Sequence, residues 1–426
     1  MTDRVAELAA GAALIGGADQ TLTGGELRRF VRAQLDAAEL DGKSVCLVIP
    51  DGTRSSPLPL LLDAVCSALA GRVTRLTAVV ALGTHQPMSE PALAHHLGYA
   101  ERGLEATYPG LTVLNHEWWT PDTFVELGTI SAERVRELSG GLLDVPAKVA
   151  LNRQVVEHDV ALVIGPVFPH EVVGFSGGNK YFFPGIAGEE IIDLTHWVGA
   201  LITSAEIIGT LAVTPVRALI DEAAAMIPSV RLALCVVAKS GSHDLHAASF
   251  GDPQAAWAAA AQVSAQTHVR YLDRPVKRVV SLIPSKYEDI WTAAKGFYKL
   301  EPVVADGGEV ILYAPHVTEI SVVHTEIYDI GYHCRDYFVG QWERFAGVHW
   351  GVLAHSTHLR GAGTWTATDG EHCRVDVTLC TGIPEEKVRR ANLGYLSPSG
   401  FDLAAYEADP DTMVVPNAGE TLFRLR

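Results

Sequence analysis

The sequence predicts an α/β protein: two α/β domains with mostly parallel sheets and an active site in the crevice between them. Short β-branched runs alternate with helical stretches, as expected of parallel strands joined by crossover helices. The alternation breaks near residue 270, around Asp273 to Pro275, and then restarts. The chain of 426 residues is also about three times the length of a common single domain. The expected division is residues 1–270 and 271–426, and the tail from about residue 410 has the option of returning to the first domain.

Residues 1–20 carry Asp3, Arg4 and Glu7 ahead of a weak apolar run, an order that suits an amphipathic helix or loose end and not a signal peptide. Residues 44–50 (SVCLVIP), 76–82 (LTAVVAL), 160–167 (VALVIGPV) and 230–238 (VRLALCVVA) read as buried strands. Helices are expected over 57–69, 133–138, 214–227 and 253–267. After the break, 277–284 reads as a strand, 287–300 as a helix and 308–315 as a strand. Residues 350–354 and 375–381 offer two more strands. No internal repeat and no low-complexity segment interrupts this order.

With 48% hydrophobic and 19% charged residues, the chain can build sizeable cores. Its net charge of −17 argues against a general nucleic-acid surface and against docking on an anionic membrane. A small anionic substrate stays open, because it needs only one or two local cations. No run approaches the roughly 18 apolar residues of a spanning helix. The six cysteines, Cys46, Cys66, Cys235, Cys334, Cys373 and Cys380, are scattered without a C-x-x-C pair. Neither a disulfide framework nor a cysteine-built zinc site is expected, and a reducing cytoplasm is the simplest compartment.

The densest chemistry lies in residues 168–197, FPHEVVGFSGGNKYFFPGIAGEEIIDLTHW, which follow a predicted strand and lead into a helix starting near Gly188. The turn containing Gly177 and Gly178 can present successive N–H groups to an anion. A Walker A loop does not fit, since Asn179 precedes Lys180 and Tyr181 follows it. His170, Lys180 and His196 share this window. Histidine serves as acid, base or metal ligand near neutral pH, and a lysine beside apolar residues such as Phe182 and Phe183 can become a nucleophile. Singly these would be ordinary core or surface residues; grouped on one strand–loop–helix unit they mark a site. Asp51, Thr53 and Arg54 follow an earlier strand, and Gly83-Thr84-His85 follows another. Ligands of open α/β sheets bind beyond the carboxyl ends of the strands, so the three motifs are expected to converge. The plainer readings are an Asx turn at Asp51, an Arg54–Asp51 pair and a loop histidine at His85.

Together these residues resemble the nickel-dependent lactate racemase family. The resemblance rests on D-x-T-R (Asp51, Thr53, Arg54), G-T-H (Gly83 to His85) and H-x-x-x-G-F-S-G-G-x-K (His170 to Lys180) with the downstream His196. It implies that residues 1–270 bind a nickel-pincer nucleotide, a pyridinium mononucleotide whose sulfur arms grip nickel. Lys180 would carry it through a thioamide bond, and His196 would be the protein's nickel ligand. Asp51, Thr53, Arg54, Gly177 and Gly178 would hold the ribose and phosphate or lie beside the substrate. His85 and His170 match the family's paired acid–base histidines, which would racemise or epimerise a 2-hydroxy acid as hydride leaves and returns to Cα. Enzymes that assemble the cofactor are implied as partners.

In the second domain, Lys295 is similar to the family's carboxylate-binding lysine, with Trp291 beside the substrate. Trp291-Thr292 stands where the lactate enzymes carry Tyr-Gln, which leaves lactate, malate, aromatic and sugar acids as candidate substrates. His355 and His358 would share a face on a helix but not on the strand expected at 350–354, and Arg360 offers a second cation. Tyr328, His333 and Tyr337 read as packing residues. Two other readings are a metal-dependent hydrolase with zinc on His85, His170 and His196, and a non-catalytic carrier of the cofactor.

Overall fold

The computed structural model describes residues 2–83 and 85–426, with backbone only for Thr2 and Asp3. Thr84 of the predicted Gly-Thr-His motif lies outside the described residues. The chain forms two compact units. The first contains the chain to Phe168, Phe175–Ile192 and Leu211–Thr267; the second contains Pro169–Gly174, Asp193–Thr210 and His268–Arg426.

The first unit is built on a seven-stranded sheet. Its strands are β1 (Ala13–Gly16), β2 (Ser44–Pro50), β3 (Arg75–Ala81), β4 (Leu111–Asn115), β5 (Val160–Pro166), β6 (Val230–Ala238) and β7 (Leu245–Gly251), in the order β1-β7-β6-β5-β2-β3-β4. The five strands from β6 to β4 are mutually parallel, whereas β7 and β1 add antiparallel pairs at one edge. Val45–Ile49 and Ala161–Ile164 are fully buried, as in strands covered on both faces. Helix Leu58–Leu69 buries Leu58, Leu61, Leu62, Val65 and Leu69 against the same core. Each such side chain contributes about 2 kcal/mol over an exposed position. The chain runs outward from β2 to β3 and β4, then returns to place β5 on the other side of β2. The strand order therefore reverses between β2 and β5, where open α/β sheets leave a crevice beyond the strand ends.

The second unit has a five-stranded sheet that is parallel throughout. Its strands β8 (Val276–Leu282), β9 (Val304–Ala314), β10 (Val375–Thr381), β11 (Gly394–Tyr395) and β12 (Thr412–Val415) lie in the order β11-β10-β9-β8-β12.

The division departs from a single boundary near residue 270 at two segments. Residues 169–174 and 193–210 group with the second unit. The tail also stays there, because β12 pairs with β8 and Leu422–Leu425 pairs with Val269–Leu272. The strand expected over 350–354 is instead the start of helix Trp350–Arg360. A short apolar run cannot by itself separate the two states. What decides it is distant in sequence: the Asp193 carboxylate accepts the Trp350 and Gly351 N–H groups at 3.0 and 2.9 Å and caps the helix. The helix expected over 287–300 is two short turns, Ile290–Ala293 and Lys295–Tyr298, joined at Ala294.

Candidate functional site

In the first unit the predicted residues gather at strand ends. Asp51 directly follows β2 and is 6% exposed. Its Oδ1 accepts the Thr53 hydroxyl at 2.7 Å and the Thr53 N–H at 3.1 Å, so the Asx turn expected from the sequence is present. Its Oδ2 lies 2.5 Å from His85 Nδ1. Burial pushes this carboxyl up, but the His85 charge, hydrogen bonds from His85 and Thr53, and the Arg54 charge hold it well below the usual carboxylate range. The His85 loop is fixed from both sides. Gly83 N–H donates to Gly185 O at 2.8 Å, and Trp118 Nε1 donates to His85 O at 3.0 Å.

The loop after β5 brings in Lys180. It sits in the short 3₁₀ turn Gly178–Tyr181, half-buried, followed by fully buried Phe182 and Phe183. The Tyr181 ring lies against Gly165 of β5, where a side chain would collide with its hydroxyl. The paired glycines have a packing reason of their own. Gly177 and Gly178 take φ of 96° and 60°; a Cβ on Gly178 would stand 2.5 Å from Pro253 O and 2.8 Å from Trp257 Cβ. Arg217, 1% exposed, donates to Phe175 O at 2.5 Å while its guanidinium lies 3.8 Å from the Trp257 ring centre. These contacts make the loop a rigid mount for Lys180.

The second unit holds the other predicted residues. His170 is 4% exposed, accepts the Val172 N–H on Nδ1 at 3.2 Å, and has Glu171 Oε2 at 3.2 Å from the same nitrogen. A neutral ring thus keeps its proton on Nε2, and a protonated one finds a carboxylate, so both states have a partner. His196 is half-buried on helix Glu189–Ile202. Lys295 is 5% exposed; its ammonium is 3.5 Å from Thr292 O and 5.3 Å from the Tyr287 ring centre. Asp289 fixes this turn by accepting the Thr292 N–H and hydroxyl at 2.9 and 2.8 Å.

Trp291 is sandwiched between two imidazoles, His324 at 4.1 Å and His355 at 3.7 Å between ring centres. His355 also meets the Tyr332 hydroxyl at 3.3 Å. Burial, then the charges of His358, His324, Lys295 and His196, push His355 well below the usual imidazole range. Burial pushes His358 down to about 4. Sequence reasoning missed His324 and Glu171. A stack between residues 33 and 64 positions apart leaves no local signal, and Glu171 looks like an ordinary loop acid. Arg360 is held by Val375 O at 3.3 Å. Tyr328 bonds Glu319 and Ile320, and His333 stacks on Tyr337 at 3.7 Å.

A family model for the lactate racemase N-terminal domain matches residues 30–207. A crystal structure of a Thermotoga maritima protein, solved in a structural-genomics programme, is 31% identical over 97% of this chain and 100% of its own, with a TM-score of 0.87. The chain belongs to the lactate racemase-like family. A curated lactate racemase from Thermoanaerobacterium thermosaccharolyticum is 27% identical over 158 residues, 36% of this chain and 32% of that protein. The chain thus aligns with about a third of that relative's length. The lactate racemase apoprotein structure from the same organism shares the fold, with a TM-score of 0.70 at 17% identity over 98% and 96% of the two chains. In this member of the lactate racemase-like family, the matched stretch includes Asp51, His85, His170, Lys180 and His196, whereas Trp291, Lys295, His355 and His358 lie beyond it.

Proposed function

We propose that the protein is an isomerase that racemises or epimerises a 2-hydroxy acid with the help of a nickel-pincer nucleotide. The observation that carries this reading is the part-buried Asp51–His85 pair at 2.5 Å, set at the strand ends beside the Lys180 mount in a lactate racemase-like chain. A carboxylate that fixes one ring nitrogen leaves the other to exchange protons with a substrate hydroxyl.

The donor chemistry fits the cofactor. Neither group of three or more protein metal donors among the described residues includes His196, so the chain offers this imidazole and leaves the soft donors to another molecule. Lys180 would hold the nucleotide covalently, with Asp51, Thr53, Arg54 and the Gly177–Gly178 turn supporting it. When bound, the group supplies a hydride acceptor that returns hydride to either face of Cα. Lys295 pairs with the substrate carboxylate, and Trp291 limits the space beside it. His85 or His170 takes the hydroxyl proton, and the other supplies its own proton as the opposite enantiomer forms. Because either enantiomer can enter, the two exchange roles.

The test is co-expression with the cofactor-assembling enzymes, followed by intact mass, elemental nickel and chiral analysis of added 2-hydroxy acids. Wild type should gain mass and about one nickel per chain. Lys180→Ala should lose the covalent mass and His196→Ala the nickel; unchanged nickel in both would overturn the metal assignment. His85→Ala should keep nickel and lose turnover, and full turnover would remove its acid–base role.

A further inference from the structure

Cys334 and Cys373 are 39 positions apart, and the fold places them side by side. Cys334 is fully buried just before helix Arg335–Val339, and half-buried Cys373 ends the strand Gly370–Cys373. That strand pairs with Gly363–Thr366, and Gly363 is what lets the thiols meet. A Cβ there would stand 3.0 Å from both Cys334 Cβ and Cys373 Cα. The two sulfurs lie within 4.8 Å of each other.

Glu371 completes the group. The sulfurs and one carboxylate oxygen all lie within 4.8 Å of one another. The carboxylate is oriented by its surroundings: Oε1 accepts the Cys334 N–H at 2.6 Å, and Oε2 faces His333 Nδ1 at 2.8 Å and Asn392 Nδ2 at 3.1 Å. His333 is in turn clamped face to face on Tyr337.

We propose that Cys334, Cys373 and Glu371 form a site for a divalent thiophilic cation of the zinc class, separate from the proposed cofactor site. Two thiolates select a soft or borderline ion over magnesium or calcium. Ligand atoms around a tetrahedral zinc are roughly 3.5 Å apart, so each donor moves by about 1 Å or less to close on the ion. Three protein ligands leave the fourth position to water. Binding releases two protons, because the ion replaces one on each thiol while the carboxylate is already ionised. Two thiolates and a carboxylate then balance the ion together with the Arg360 charge, which acts on Cys373. A disulfide would need neither the third donor nor the His333–Asn392 support, which is the arrangement expected around a metal-binding carboxylate. Metal would fasten the start of helix Arg335–Val339 to the Gly363–Cys373 hairpin.

The full chain, made without the cofactor enzymes and reduced with a phosphine, should be titrated with cobalt(II) and then zinc(II). About one cobalt per chain, with thiolate-to-cobalt charge-transfer absorption that zinc abolishes, is the expected result. That absorption separates this site from an imidazole site. Cys373→Ser should remove the absorption, and Glu371→Gln should weaken zinc binding at least tenfold in competition with a chromophoric chelator. Circular dichroism of both metal-free variants should match wild type, which excludes misfolding as the cause. Absent charge-transfer absorption, or absorption that survives Cys373→Ser, overturns the proposal. So does ready oxidation of the pair to a disulfide by glutathione disulfide in protein that takes up no zinc.

Discussion

Replacing His85 with alanine should show how far Asp51 depends on it. The Asp51 carboxylate pairs with His85 Nδ1, and a hydrogen bond to an ionised group contributes about 1.5–3 kcal/mol. Asp51 is nearly buried, but 27% of the His85 side chain is exposed, which keeps the contribution below the top of that range. The expected coupling is about 2 kcal/mol. A double-mutant cycle of His85→Ala and Asp51→Asn, read by urea unfolding at neutral pH, measures it. The single substitutions should sum to about 2 kcal/mol more destabilisation than the double variant shows. Additivity within about 0.5 kcal/mol would refute the pairing. The pH dependence gives a second reading. Because the folded-state carboxyl is held below its unfolded value of about 3.9, its stabilising contribution is complete above that pH and is lost as pH falls through the folded value. In His85→Ala this acid sensitivity should shrink; an unchanged acid limb would count against His85 as its cause.

Gly178→Ala should destabilise the protein by about 3 kcal/mol, because the new Cβ meets the Pro253 carbonyl at 2.5 Å in a left-handed backbone conformation; a melting temperature equal to wild type would show that the Lys180 mount can yield. Burial pushes His116 and His358 each down to about 4. The unfolded chain therefore binds more protons between about pH 4 and 6.5, so stability falls as pH drops through that window, by up to about 1.4 kcal/mol per unit for each ring. Ring-proton NMR should find His358 unchanged between pH 6 and 8, and a midpoint near 6.5 would contradict its burial.

The residues legible in the sequence are those whose signal is local. Ser44–Pro50 and Val160–Pro166 read as strands because both faces are buried and every position is apolar or small. Asp51, His85 and Lys180 stood out because a polar motif directly after such a run lies at a strand end. Features that depend on a distant partner stayed hidden. Residues 350–354 looked like a strand because nothing nearby announces the Asp193 cap. Cys334 and Cys373 looked unrelated because only the Gly363 backbone and the intervening hairpin bring them together. Residues 169–174 and 193–210, which group with the second unit, stayed hidden for the same reason, because composition does not record such excursions.

His355 and His358 are better understood as a charge-limited pair than as metal ligands. Burial holds His355 neutral, and the Lys295 charge, with any protonation of His358, His324 or His196, pushes it the same way. Protonating every ring beside Lys295 would crowd several cations into an apolar interior, at a cost that one acid, Glu171 near His358, cannot offset. The stable arrangement keeps His355 and His358 neutral. Each neutral imidazole has one donor and one acceptor, which would match a hydroxyl, whereas Lys295 would offer a carboxylate a full cation. Trp291 then has a defined task between His324 and His355. Its ring fills the space between them, stacked at 4.1 and 3.7 Å between ring centres.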